Sequence, residues 1–227
     1  MRSVLPIIVL MGLLSRAAAQ SPAPALVSQW GWGLRVGLGA SSSRYQNGSG
    51  QDSDYRGLAT AMGLGASRYL AGPRLSVALD ALLESQEVYI GFRQGPLYPI
   101  YSPQVLTQWR LFVPLYLRTG TPAGRLHLLA GIGPTLALGR PGLQPAYYPR
   151  GAELTLLLGA EVRVAPWNWH ETTLGVRLHA PLTPSYAYGY PASYTSQGVN
   201  VTNETRWDVR SPWLGFTLST TLYPAAR

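Results

Sequence analysis

Trp30-Gly31-Trp32-Gly33-Leu34-Arg35-Val36-Gly37-Leu38-Gly39 alternates two kinds of residue. Trp30, Trp32, Leu34, Val36 and Leu38 occupy one phase; Gly31, Gly33, Arg35, Gly37 and Gly39 occupy the other. Alternate side chains of a strand face opposite sides of the sheet. One face here is large and apolar, and the other is small or charged. A water-soluble barrel points its apolar face inward. A membrane barrel points it at lipid and keeps a polar lumen.

The same period recurs, giving eight strand candidates at residues 30–40, 57–70, 75–89, 105–118, 125–138, 153–164, 171–182 and 213–223. Most match the roughly 9–11 residues that a tilted membrane strand needs. An apolar period of two excludes amphipathic helices. The connections alternate in length: 71–74, 119–124 and 165–170 are short, while 41–56, 90–104, 139–152 and 183–212 are long. Short periplasmic turns and longer external loops are the outer-membrane arrangement. The expected fold is therefore all-β, an eight-stranded antiparallel transmembrane β-barrel that follows a cleaved signal peptide.

Arg2, an apolar run over residues 4–14 and Ala17-Ala18-Ala19 have the form of a secretory signal. The expected organisation is a signal peptide at 1–19, a periplasmic lead-in at 20–29 and an outer-membrane barrel domain at 30–227. With no cysteine, the exported chain relies on its fold rather than on disulfides. The net charge is +8, or +6 without Arg2 and Arg16, and all 18 basic residues are arginine. Because the arginines are scattered singly along strands, nucleic acid is not an expected partner.

Trp30, Trp32, Tyr69, Trp167, Trp169 and Tyr223 fall at the short-turn end, and Tyr89, Trp109, Trp207 and Trp213 at the long-loop end. Such clustering suggests interfacial girdles. Pro114 and Pro134 fall in mid-strand, where each removes a ladder hydrogen bond and a bulge would absorb the defect.

The stretch Trp109-Arg110-Leu111-Phe112-Val113-Pro114-Leu115-Tyr116-Leu117-Arg118 resembles the proline-bearing middle strand of small Bacteroidota outer-membrane barrels, the PorT-like group. Leu128-Leu129-Ala130-Gly131-Ile132-Gly133-Pro134 resembles the Gly-rich strand that follows it in that group. The broader pattern is similar to the OmpA/OmpX-like eight-stranded barrels. The resemblance spans nearly all of the chain after its signal and implies architecture more than activity. Barrels of that kind often end on an aromatic residue, whereas Tyr223 here precedes Pro224-Ala225-Ala226-Arg227.

The inner phase carries Arg35, Asp80, Glu84, Arg110, Arg118, Glu153, Glu161, Arg163, Glu171, Arg177 and His179. An eight-stranded barrel is only wide enough for its own side chains, so these residues are expected to form a lumen network of paired charges. The alternative use of the same residues is a narrow channel. Tyr98, Tyr101, Tyr147, Tyr148, Tyr186, Tyr188, Tyr190 and Tyr194 lie in the long connections. Tyrosine among small residues makes adaptable contact surfaces, which suggests binding of a glycan or a surface protein through the external loops. Outer-membrane lipid and the barrel-assembly machinery are the other expected partners.

No catalytic, cofactor-binding or metal site is expected. His127 and His179 fall on the lumen phase and His170 in a short turn, and no Gly-x-Ser-x-Gly elbow or paired-His motif is present. Asn47-Gly48-Ser49, Asn200-Val201-Thr202 and Asn203-Glu204-Thr205 match the glycosylation pattern, which carries no meaning for a bacterial envelope protein. The expected role is non-enzymatic, structural or loop-mediated. A secreted lipocalin-like small-ligand binder is the contrasting possibility and requires the Leu/Val phase to point inward.

Overall fold

The computed structural model describes residues 30–46, 52–71, 74–90, 104–121, 125–138, 147–149, 152–167, 170–184, 186–196 and 199–223. The expected signal peptide and lead-in, Tyr98, Tyr101 and Trp169 lie outside these residues, as do the side chains of Tyr89, Trp167 and Trp207. Twelve strands are present among the described residues: β1 (Trp30–Gln46), β2 (Asp52–Ala71), β3 (Leu75–Ile90), β4 (Gln104–Phe112), β5 (Leu115–Gly120), β6 (Leu126–Leu138), β7 (Tyr147–Pro149), β8 (Ala152–Trp167), β9 (His170–Pro181), β10 (Tyr186–Ser196), β11 (Val199–Arg210) and β12 (Trp213–Leu222).

The wall runs β1–β2–β3, then β4 and β5 as one interrupted strand, then β6–β8–β9–β12. It closes where β12 pairs with β1, from Trp32↔Leu222 to Ser41↔Trp213. Closure leaves no sheet edge within the wall. The ring has eight wall strands, all antiparallel to their neighbours.

The polarity follows the alternation. Leu34, Leu38, Leu58, Leu64, Leu128, Phe216 and Leu218 are exposed on the outside, whereas Arg35, Asp80, Glu84, Arg110, Glu161 and Arg177 are buried within. Grease outside and charge inside is the polarity of a membrane barrel. The lipocalin-like alternative is thereby corrected, because the Leu/Val phase does not line a pocket.

Several other expectations are also corrected. The fourth strand is broken at Val113–Pro114 rather than continuous. No bulge forms there: Leu82↔Phe112 and Leu79↔Leu115 keep one register across the break. The Asp80 amide still donates to the Pro114 carbonyl at 3.1 Å, and the Val113 amide donates to the Pro134 carbonyl at 3.0 Å. Each proline lacks only the return bond of its pair, so the ladder tolerates both without a shift. Bulges occur instead at Tyr69/Ala71 and Arg163/Ala165, beside short turns.

The connection at 183–212 is not simply a loop. It contains the β10–β11 hairpin, paired from Tyr186↔Val209 to Ser196↔Val199. β11 also pairs with the end of β1 through Arg44↔Arg210, Tyr45↔Val209 and Gln46↔Asp208. β10 pairs with β7 through Tyr186↔Pro149, Ala187↔Tyr148 and Tyr188↔Tyr147. The wall thus continues on this side as a five-stranded sheet, β2–β1–β11–β10–β7.

The girdles are also revised. Trp30, Trp32 and Trp109 are exposed, but Tyr69, Trp213 and Tyr223 are buried inside. Their parity explains this: Tyr69 shares the phase of Ala59 and Ser67, and Trp213 that of Thr217 and Ser219. Position at a strand end did not override the alternation.

Candidate functional site

The ten charged residues and His179 of the inner phase are all buried in the lumen. Five arginines face five carboxylates, with His179 beside them. Buried charges persist only when paired and hydrogen-bonded, and the barrel arranges this in two networks.

The larger network lies towards the short turns. Glu171 is its acceptor hub. Its Oε1 accepts from Arg118 Nη2 at 3.0 Å and from Arg163 Nε at 3.1 Å. Its Oε2 accepts from the hydroxyls of Tyr69 at 2.8 Å and Tyr223 at 3.1 Å. Arg163 Nη2 donates to the Tyr69 hydroxyl in turn. Arg118 also lies 3.5 Å from Glu161 Oε2.

Arg177 extends this network across the barrel. Its Nε donates to Glu161 Oε1 at 3.0 Å, and its Nη1 donates to Asp80 Oδ2 at 2.9 Å. Tyr116 donates to the same Asp80 oxygen at 2.9 Å. Arg35 Nε faces Asp80 Oδ1 at 3.4 Å, and its Nη1 donates to Thr221 Oγ1 at 3.0 Å across the β1–β12 seam. Gly65 makes room for this pair. A Cβ there would collide with Asp80 Oδ1 and lie 3.1 Å from Arg35 Nε.

The second network lies towards the long connections. Arg110 donates from Nη1 to Glu153 Oε1 at 2.8 Å and from Nη2 to Glu84 Oε2 at 3.1 Å. Glu84 Oε1 meets His179 Nδ1 at 2.5 Å. The His179 ring is held between Phe112 and Trp213, with centroids at 4.8 and 4.5 Å. Trp213 in turn covers Gly37, where a Cβ would lie 3.1 Å from the indole.

An apolar cluster of Ala78, Leu82, Phe112, Tyr116, Leu129 and Leu157 fills the lumen as well. Along β3, Leu82 stands between Asp80 and Glu84; along the partner strands, Phe112 stands between Tyr116 and Arg110. The interior therefore contains charge, then hydrocarbon, then charge. Leu82 shares the phase of Asp80 and Glu84, and Phe112 and Tyr116 that of Arg110 and Arg118, so alternation alone puts them inside. Leu129, Leu157, Tyr69 and Tyr223 were missed, although counting by twos from His127, Glu153 and Ser219 reaches all but Tyr69. Ser67 gives Tyr69 in the same way.

His127 is buried near the first network, and neither ring nitrogen has a hydrogen-bond partner. Among the described residues no group of His, Cys, Asp and Glu could hold a metal ion. Tyr147 and Tyr148 belong to β7, and Tyr186, Tyr188, Tyr190 and Tyr194 take alternate positions of β10. The pairing of β10 with β7 brings these two tyrosine-bearing segments together beyond the wall.

No family model matches the chain, and no curated relative does. Among solved structures, it is similar to the outer membrane protein AlkL, determined by solid-state NMR in lipid bilayers, at 13% identity over 92% of this chain and 98% of that one, with a TM-score of 0.47. It is also similar to the outer membrane protein OprG from Pseudomonas aeruginosa, at 12% identity over 85% and 96% of the two chains, with a TM-score of 0.46. Neisserial surface protein A is similar at 13% identity over 84% and 97%, with a TM-score of 0.41.

Proposed function

We propose that this chain is a bacterial outer-membrane barrel with a sealed lumen, acting at the cell surface through the sheet beyond its wall and neither transporting nor catalysing. The filled lumen carries this proposal. Leu82, Phe112, Leu129 and Leu157 are each no more than 3% exposed, and the charged residues on either side are spent on one another. A narrow channel needs a continuous wet path, which a packed apolar layer opposes.

Catalysis on lipid is disfavoured for a similar reason. The Glu84–His179 pair lies inside the wall, clamped by Phe112 and Trp213, away from the lipid face. Tyrosines stand at alternate positions of β10 and in its partner β7 at the long-connection end, a composition that supports binding of a glycan or a surface protein. The resemblance of residues 109–118 and 128–134 to the PorT-like group, and of the broader pattern to the OmpA/OmpX-like barrels, supports this reading. Residues 1–19 serve as the export signal.

The test combines fractionation, gel mobility and conductance. The expected protein requires detergent, sits in the outer-membrane fraction, shifts mobility on boiling and gives no steady conductance in a planar bilayer. Deleting 186–194 should leave the mobility shift intact and abolish adhesion to glycan arrays or outer-membrane extracts. Steady unitary currents from the unaltered protein would replace this proposal with the channel.

A further inference from the structure

Outside the lumen, carboxylates are divided unevenly between the two ends. Apart from the five carboxylates described in the lumen, Asp52, Asp54, Glu87, Glu204 and Asp208 all fall at the long-connection ends of their strands. The short connections over 71–74, 119–125 and 165–170 contain no Asp or Glu. They contain Arg74 and Arg125, and Arg68 stands beside them near the end of β2. The lumen arginines are matched by lumen carboxylates, so nothing inside the barrel offsets this rim.

The three arginines occupy one arc. Arg68 is opposite Trp30 on β1 and Val77 on β3. The Arg74 carbonyl accepts from the Gly120 amide at 2.6 Å, which ties its turn to the end of β5. Arg125 follows across the β5–β6 turn, and its carbonyl accepts from the Arg163 amide at 2.8 Å. From β1 to β6 the rim therefore carries Trp30, Arg68, Arg74 and Arg125 in sequence. The half formed by β8, β9 and β12 adds no rim arginine among the described residues.

Arg68 faces the edge of the apolar belt rather than open water, and Arg74 and Arg125 stand in the turns beyond it. Arg68 shares the outward phase of Leu58, Met62 and Leu64, and its Nε is buried without a hydrogen-bond partner. Trp30 and Leu70 beside it are exposed. Tryptophan at a belt edge sits at headgroup level, and a guanidinium there meets lipid phosphate. The planar arginine fork matches phosphate oxygens in pairs.

We propose that the arc of Arg68, Arg74 and Arg125 binds the phosphate of an anionic phospholipid, such as phosphatidylglycerol, in the leaflet that the short turns enter. Calling that leaflet periplasmic rests on the function proposed above; the binding chemistry does not. Each arginine near a charged lipid surface contributes about a fivefold effect, so three give about a hundredfold.

The experiment is native mass spectrometry of the folded barrel in neutral detergent, titrated with phosphatidylglycerol or phosphatidylcholine. Retention of phosphatidylglycerol over phosphatidylcholine is expected. It should fall about a hundredfold in R68Q/R74Q/R125Q and survive in R56Q/R210Q at the other end. Equal retention of the two lipids, full retention by the triple variant, or loss in R56Q/R210Q would each overturn the proposal. Displacement by millimolar inorganic phosphate would assign the site to free phosphate and overturn the lipid source. Heat-shifted mobility checks that each variant is folded. Should the triple variant not fold, R74Q alone, in an exposed turn, should lose about fivefold, and no loss refutes the idea. Protease clipping of the turns in intact cells reports the direction of insertion separately, so a wrong orientation and a wrong binding site give different results.

Discussion

Replacing Glu171 by Gln tests the wiring of the lumen directly. Glu171 accepts from four donors: Arg118, Arg163, Tyr69 and Tyr223. The glutamine oxygen can keep both arginine bonds, while its amide nitrogen replaces the oxygen that faces the tyrosines. Both hydroxyls can rotate to accept, although Tyr69 already accepts from Arg163 Nη2. The loss is then mainly charge assistance in two bonds, about 1 kcal/mol each, plus part of the cost of two arginines short of one counter-charge. The sum is about 2–4 kcal/mol. Glu171→Leu removes every acceptor and should cost about 5 kcal/mol or prevent folding. Glu87→Gln is the control: Glu87 is partly exposed and accepts from the Leu58 amide, so its change should cost under about 1 kcal/mol. The assay is denaturant titration in phospholipid vesicles, read by heat-modifiable mobility and tryptophan fluorescence. A double-mutant cycle of Glu171→Gln with Arg118→Met should show about 1–3 kcal/mol of coupling. Equal costs for Glu171→Gln and Glu87→Gln, or no coupling in the cycle, would refute the hub.

Leu64→Arg, on the exposed face of β2, should cost about 2–4 kcal/mol in vesicles, while Leu70→Arg near the turn should cost about 0–1 kcal/mol; equal costs would move the lipid belt. Gly65→Val should destabilise the barrel by displacing the Arg35–Asp80 pair, because its Cβ meets Asp80 Oδ1, and a denaturant midpoint equal to that of the unaltered protein would count against that packed pair. Phe112→Ala with Leu157→Gly should hollow the apolar cluster and raise bilayer conductance above that of the parent; unchanged silence would place the seal in the ion pairs instead.

The wall was legible because its period survives in every segment. Leu34, Leu64, Leu128 and Leu218 each mark an outward phase that no partner need be known to read. The polar phase was equally visible, since Arg35, Asp80 and Arg177 interrupt apolar runs by twos. What the sequence could not give is who meets whom. Asp80 and Arg177 are 97 residues apart, and Tyr69 and Glu171 are 102 apart. Those pairings depend on the stagger of strands around the ring, which alternation does not encode. The β10–β11 hairpin was hidden for a different reason. Pro191, Gly189 and the polar run Asn200–Asp208 give no apolar face, so the hairpin shows only in its backbone pairing, with itself and with the end of β1. Trp213, Tyr69 and Tyr223 were misplaced by weighing position at a strand end above parity.

The seam between β1 and β12 has a consequence for biogenesis. Until it zips, Arg35 on β1 lacks Thr221 on β12, and Glu171 on β9 lacks the Tyr69 hydroxyl that β2 brings from the other side. A half-built sheet would present arginines and carboxylates to hydrocarbon with their counterparts still unattached, at a cost of several kcal/mol for each unpaired charge. Piecemeal insertion, hairpin by hairpin, is therefore uphill at every stage before the last. The nascent polypeptide must be held in a sheltered or aqueous setting until both ends meet, and only the finished cylinder is soluble in lipid.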